Sequence, residues 1–282
     1  MTVYLKALTG EGLVRGVAEP FTFPGGEAHL KAVNGIGLRS IGIADVRGAD
    51  PQELITASML ADVATHFWRP FVLMLPYLPA ARADRGLPLG IRAYSRIINS
   101  MNPSQVISID VHSNISKDHI PALTELSALP MVRRALSERG HLSRYDAVIS
   151  PDLGAADRAQ AVATDLGIDL YCASKKRDFE TGEILGIHIE NLPRSGHYLV
   201  VDDICDGGGT FMGLANKSDL HSSQLGLWVT HGVFSGNAPA LRGYYKFIYT
   251  TDSHPGHSRL GVATTVVPVE TYMLQNIRGD LL

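Results

Sequence analysis

What most constrains this chain is a repeated alternation of strand-length apolar runs with longer segments patterned at helical spacing. Phe71-Val72-Leu73-Met74-Leu75 follows a segment opened by Pro51-Gln52-Glu53, in which Leu60, Val63, Ala64 and Phe67 recur with a helical period. The alternation returns at Val106-Ile107-Ser108-Ile109, Ala147-Val148-Ile149, Leu170-Tyr171-Cys172, Tyr198-Leu199-Val200-Val201, 225–229 and 247–249, with helices expected over 91–100 and 155–166. Runs that are apolar on both faces and separated by helices predict an α/β protein whose mostly parallel sheets are covered on both sides. At roughly 150 residues per domain, 282 residues make two. The polar stretch 139–146 has a complete α/β cycle on either side, so the expected domains are 1–142 and 143–282. A faint echo between 75–85 and 149–158, each a strand, a proline turn and an Ala-rich run ending in Asp-Arg, suggests internal duplication.

Charge narrows the partners. A net charge of −3 gives no global basic field to hold a nucleic acid by counterion release. Two cysteines, Cys172 and Cys205, are too few for a disulfide scaffold and fit a reducing cytosol. No apolar run reaches the roughly 18 residues of a membrane-spanning helix, and the N-terminal residues lack the layout of a signal peptide. The expectation is a soluble cytoplasmic protein that binds neither nucleic acid nor membrane.

The most specific segment is 198–211. A buried strand ends in the adjacent carboxylates Asp202 and Asp203, and Asp206-Gly207-Gly208-Gly209-Thr210 leads into an expected helix. Glycines let backbone N–H groups converge on one point, and a helix N-terminus adds partial positive charge, so a phosphate is favoured there. Carboxylates at the rim suit vicinal hydroxyls. Together they describe a site for a ribose phosphate. No G-x-x-x-x-G-K-[ST] motif is present, which argues against a P-loop kinase.

This loop resembles the ribose-5-phosphate loop of type I phosphoribosyltransferases and of ribose-phosphate diphosphokinases, and other segments favour the second family. Residues 76–85, with Arg82, Asp84 and Arg85, are similar to its ATP-contacting P-Y-x-x-x-A-R-Q-D-R motif. Residues 109–113 resemble V-D-L-H-[AS], which makes His112 a metal ligand, and 150–154 resemble S-P-D-x-G, which places Asp152 at a second metal. Lys175-Lys176-Arg177 resembles the start of the catalytic flexible loop. Phe23 and Glu27 lie in a match to F-x-D-G-E, part of an adenine pocket completed by a neighbouring subunit, and 230–236 match T-H-x-x-x-S-G. The matches run in family order over nearly the whole chain.

The resemblance implies two similar phosphoribosyltransferase-like domains, an ATP and metal side in 1–142 and a ribose-phosphate side in 143–282. It implies Mg2+-dependent transfer of the β,γ-diphosphate of ATP to the 1-hydroxyl of ribose 5-phosphate, and a homo-oligomer built from dimers, as far as a hexamer. Lys175, Arg177 and Arg82 would neutralise charge, while Asp202, Asp203, Asp206, Gly207, Gly208, Gly209 and Thr210 would hold the ribose phosphate. Three departures stand out: Ala83 replaces a Gln, Gly25 an Asp, and Gly207 a Thr or Ser that would help enclose the 5′-phosphate. An open loop at Gly207 leaves ADP-ribose as an alternative acceptor, in a nicotinamide-nucleotide salvage reaction. A phosphoribosyltransferase, and a catalytically silent binding homologue, are the competing readings. The ATP-site matches argue against the first, and the retained Lys175, Arg177 and His112 against the second.

Overall fold

The computed structural model describes residues 3–31, 33–37, 39–177, 184–189 and 192–281. The described strands include two six-stranded sheets, one in each of two compact units: residues 1–126 with 269–282, and residues 127–268.

In the first unit the elements are β1 (Val3–Thr9), β2 (Gly12–Arg15), β3 (Glu19–Thr22), β4 (Ala28–Lys31), β5 (Ser40–Val46), α1 (Pro51–His66), β6 (Phe71–Met74), α2 (Gly90–Ser100), β7 (Gln105–Ile109), α3 (Ile115–His119) and β8 (Leu123–Leu126). The sheet order is β2-β1-β5-β6-β7-β8. The strands β5 to β8 are parallel, as the apolar runs predict, while β1 lies antiparallel on β5 and β2 on β1. β5 is fully buried yet carries Gly42, Ala44 and Asp45, residues poor in strand propensity, so it had no signal in the sequence. α1 starts where expected because Asp50 caps it, its carboxylate accepting from the Gln52 N–H at 2.9 Å, with Pro51 at the first helical position.

The second unit contains α4 (Leu129–Glu138), β9 (Ala147–Ser150), α5 (Ala156–Leu166), β10 (Asp169–Cys172), β11 (Ser174–Arg177), β12 (Ile184–His188), β13 (Tyr198–Cys205), α6 (Gly209–Ser218), β14 (Leu225–Gly232), β15 (Phe247–Thr251) and β16 (Thr264–Val267). Its six-stranded sheet, β10-β9-β13-β14-β15-β16, is parallel throughout. The core is built from Ile149, Val200, Leu227, Val229 and Ile248 of the strands with Phe211 and Leu214 of α6. After β16, α7 (Glu270–Leu274) returns to the first unit.

Two expectations change. The compact units divide at 126/127 and 268/269, not at 142/143. The reason is packing: α4 lies against β15 and β16, whereas the C-terminal segment is tied to the first sheet, Gln105 donating to the Asn276 carbonyl at 3.1 Å and accepting from the Arg278 N–H at 3.0 Å. The echo between 75–85 and 149–158 also does not superpose element on element, since Asp84-Arg85 follows β6 in a loop while Asp157-Arg158 lies in the first turn of α5.

Candidate active site

The glycine-rich segment owes its geometry to β13, which runs longer than its apolar pattern. Asp202 and Asp203 lie within the strand and not beyond it, because pairing with β14 continues to Cys205 opposite Gly232. On the other side, β9 pairs with β13 only through Val200. The N–H groups past that point need other acceptors, and the carboxylates supply them. Asp202 accepts from the Asp203 N–H and Asp203 from the Ile204 N–H, each at 2.8 Å.

Curled back in this way, two neighbouring carboxylates share one cation. Arg158, in the first turn of α5, places Nη1 3.3 Å from Asp202 Oδ1 and 3.4 Å from Asp203 Oδ1. Successive strand residues normally point to opposite faces, so this convergence depends on the local turn of each carboxylate toward the next amide. Burial, then the charge of Asp203, hold the Asp202 carboxyl well above the usual carboxylate range, and Arg158 opposes both.

The loop after β13 is fixed from one side and open on the other. The Cys205 carbonyl accepts from the N–H groups of Val233 and Phe234, each at 3.0 Å, and Ser235 donates its N–H to the Asp206 carbonyl and its hydroxyl to the Asp206 carboxylate. Gly208 adopts φ +81° as the N-cap of α6, and a Cβ there would stand 3.1 Å from Leu241. At Gly207 and Gly209 an added Cβ would meet nothing within 4 Å. A ten-residue helix thus begins at a glycine turn that presents backbone N–H groups, as an anion requires.

Other expected residues cluster at strand ends but serve different local roles. Asp152, just past β9, caps the 3-10 turn Leu153–Ala155, accepting from the N–H groups of Gly154 at 3.0 Å and Ala155 at 3.3 Å. In the first unit, Asp110 leaves β7 at φ 46°, and the Val111 N–H bonds to Glu125 Oε1 at 3.1 Å, which leaves His112 exposed. Arg82 and Arg85 are exposed in the loop after β6, with Asp84 half-buried and 3.8 Å from Arg85. Phe23 and Glu27 close the β3–β4 hairpin: Phe23 stacks on His29 with ring centroids 5.4 Å apart, and its N–H bonds to the Glu27 carbonyl at 2.8 Å. The absent Asp at Gly25 is partly replaced in space by Glu27, whose carboxylate comes within 2.5 Å of where a Cβ would be.

Lys175 and Arg177 were expected at the start of a loop. Their backbone instead forms β11, paired antiparallel with β12, Lys175 opposite Ile187 and Arg177 opposite Ile184. Their side chains lie outside the described residues. The His231 of the T-H-x-x-x-S-G match is 2% exposed and bonds through Nδ1 to Ser253 Oγ at 2.8 Å, a buried structural role. Cys205 is buried and its thiol pushed far up, so it is inert.

Among the described residues no three His, Cys, Asp or Glu side chains gather closely enough to hold a metal ion. The expected ligands His112 and Asp152 stand in different units. A carboxylate beside phosphate oxygens is nonetheless a donor set that suits Mg2+, which takes only one or two protein carboxylates together with substrate phosphates and water.

No family model matches the chain. Ribose-phosphate pyrophosphokinases from Granulibacter bethesdensis and Rhizobium meliloti are 30% identical to it over 179 and 193 residues, or 61% and 66% of this chain. One from Methanopyrus kandleri is 27% identical over 268 residues, covering 91% of this chain and 89% of its own length. The chain is thus similar in sequence to ribose-phosphate pyrophosphokinases. Its matches span 57% and 62% of the length of the first two relatives. The fold agrees with this kinship: the phosphoribosylpyrophosphate synthetase of Mycobacterium smegmatis superposes with a TM-score of 0.76 at 19% identity, covering 93% of this chain and 89% of that one.

The residue that sequence reasoning passed over is Arg158. Its only trace was the Asp-Arg ending of the echo, read as a sign of duplication. Nothing in one sequence says that a residue 44 positions upstream meets Asp202.

Proposed function

We propose that this protein transfers the β,γ-diphosphate of ATP to the 1-hydroxyl of ribose 5-phosphate. The observation that carries this reading is the paired carboxylates of β13 set against a glycine turn at the start of α6. A ribose phosphate satisfies both, the hydroxyls by Asp202 and Asp203, the 5′-phosphate by the amides of residues 207–210. Thr210 adds a hydroxyl donor, and Asp206, tied to Ser235, fixes the loop.

In the transfer, the C1 oxygen forms a bond to the β-phosphorus while the bond from that phosphorus to the α,β-bridging oxygen breaks. AMP departs with the bridging oxygen, and the hydroxyl proton passes to water. Such chemistry is governed by positioning and charge neutralisation. Lys175, Arg177 and Arg82 supply cations, Arg85 and Asp84 orient the nucleotide, and Phe23 and Glu27 contribute to the adenine pocket of a neighbouring subunit in a homo-oligomer. His112 would hold one Mg2+ and Asp152 would lie at a second, and such ions would supply neutralisation of phosphate charge. Purified protein incubated with ATP, Mg2+ and ribose 5-phosphate should release AMP and a ribose phosphate heavier by one diphosphate on mass analysis. Absence of AMP release with every acceptor would sink the reading.

A second acceptor, ADP-ribose, is favoured by the empty space around Gly207. Among the described residues nothing lies within 4 Å of a Cβ added at Gly207, so a phosphate bearing a further substituent would have room to leave the loop. Running the same incubation with ADP-ribose distinguishes the two by relative kcat/KM.

A further inference from the structure

The Asp202–Asp203 pair presents an electrostatic problem. Two adjacent carboxylates, with side chains 15% and 4% exposed, disfavour each other's ionisation, while accepting from two vicinal hydroxyls is easiest when both are charged. Among the described residues, Cys205 and Asp206 follow on the same segment, His231 of the paired strand β14 is engaged with Ser253, and Arg158 reaches across from α5. Arg158 is the cation in this set that touches both, through one nitrogen at 3.3 and 3.4 Å, and its own side chain is only 19% exposed.

We propose that Arg158 is a positioning residue for ribose: its guanidinium favours the charged form of the Asp202 and Asp203 carboxylates and holds them converged, so that both accept from one sugar. It acts through them and has no contact with the reacting phosphorus. The inference rests on the ribose-phosphate reading of this loop and adds a residue and a role to it. Three features favour positioning over simple fold maintenance. Arg158 belongs to a helix and reaches a strand that its neighbour β9 no longer pairs. Each contact runs through one nitrogen and is longer than a bidentate Arg–carboxylate pair, a geometry that orients the carboxylates without clamping them. Its position in the first turn of α5 also links the ribose carboxylates to Asp152, which caps the turn running into that helix.

The test compares wild type with Arg158→Gln and Arg158→Lys. Steady-state kinetics should show KM for ribose 5-phosphate raised about tenfold in R158Q with KM for ATP within about twofold. The acid limb of kcat/KM should move to higher pH by about one pH unit, because removing the cation makes the carboxylates harder to ionise. R158K should recover most of both. Independently of activity, 13C side-chain carboxyl titration of the unliganded protein should show the Asp202 and Asp203 resonances titrating at higher pH in R158Q than in wild type. Unmoved carboxylate titration, or equal losses for both substrates with an unchanged acid limb, would overturn the role. If R158Q fails to fold, R158K decides: a ribose 5-phosphate KM and acid limb close to wild type support the role, and either one displaced as far as predicted for R158Q, despite the retained charge, would overturn it. A wild-type protein that transfers no diphosphate defeats the ribose-phosphate reading, while the carboxylate titration still answers for Arg158.

Discussion

Each unit contains a cluster of buried or half-buried charges, and the two are built differently. In the first, Lys6 on β1 and Asp45 on β5 are diagonal neighbours on one sheet face, 2.7 Å apart and 2% and 0% exposed. Arg47 closes on both oxygens of Asp45, at 2.7 and 3.0 Å. Glu270 of α7 then joins Lys6 to Arg15, and Tyr4 lies beside the Lys6 and Arg47 cations. Three cations thus meet two carboxylates, and every member has a partner. In the second unit Arg158 bridges the carboxylates of two adjacent residues, and the cluster sits past the end of a neighbouring strand beside an open glycine loop. The contrast teaches how to separate structure from function. A buried network with its charges matched ties elements together, here the C-terminal helix to the first sheet. Adjacent carboxylates at the carboxyl end of parallel strands, beside a glycine loop, are suited to a polar ligand.

Breaking the second cluster should cost activity and little stability. Asp203→Asn should lower kcat/KM for ribose phosphate by about 100-fold or more, since it alters the acceptor proposed for the sugar, with thermal unfolding close to wild type; a loss below about fivefold would mean that the pair does not hold the ribose. Breaking the first should do the reverse. Lys6→Met leaves Asp45 and Glu270 each short of a cation, and urea unfolding should show about 3 kcal/mol lost, the usual cost of removing one partner from a buried pair, while specific activity of the folded protein stays near normal.

Smaller effects sharpen the same division. The Arg15 guanidinium, and behind it Lys6, hold Glu270 down to about 2 against the opposing effect of burial. A carboxylate depressed by folding contributes stability above its unfolded value near 4.5, and that contribution is lost as pH falls toward 2. Wild type should therefore lose melting temperature across that window more steeply than Glu270→Gln, and parallel curves would deny the network its role. At the glycine loop, Gly208→Ala should cost about 1–2 kcal/mol because of its positive φ, with Leu241 crowding the added methyl. Gly207→Ser should change stability by less than about 0.5 kcal/mol and shift only the ratio of kcat/KM for ribose 5-phosphate over ADP-ribose; an unchanged ratio would remove Gly207 from acceptor choice.

Much of this was legible in one dimension. The strands at 71, 105, 147, 198, 225 and 247 are apolar on both faces, so their period alone marks them as interior strands of parallel sheets. The helix starts at Pro51 and after residue 155 follow from capping and periodicity. The turn at the glycine run was also readable, because consecutive glycines before an apolar-periodic segment mark the start of α6. Strand β5 was not readable, since its Gly and Ala are paired by tertiary burial and not by propensity. The antiparallel β1 and β2, and the hairpin that takes up Lys175 and Arg177, depend on pairing partners that a local pattern does not name.

The amino-acid order alone set the class of fold, the succession of motifs and the glycine run at which a ribose-phosphate site is proposed, because backbone period, glycine freedom and carboxylate spacing are local properties. The tertiary structure decided what those residues touch. It moved the boundary between units to 126/127, lengthened β13 through its two carboxylates, and set Arg158 between them. Those outcomes depend on where neighbouring strands stop pairing and on the free energy of charges brought out of water together, quantities that exist only once distant segments of the chain have met.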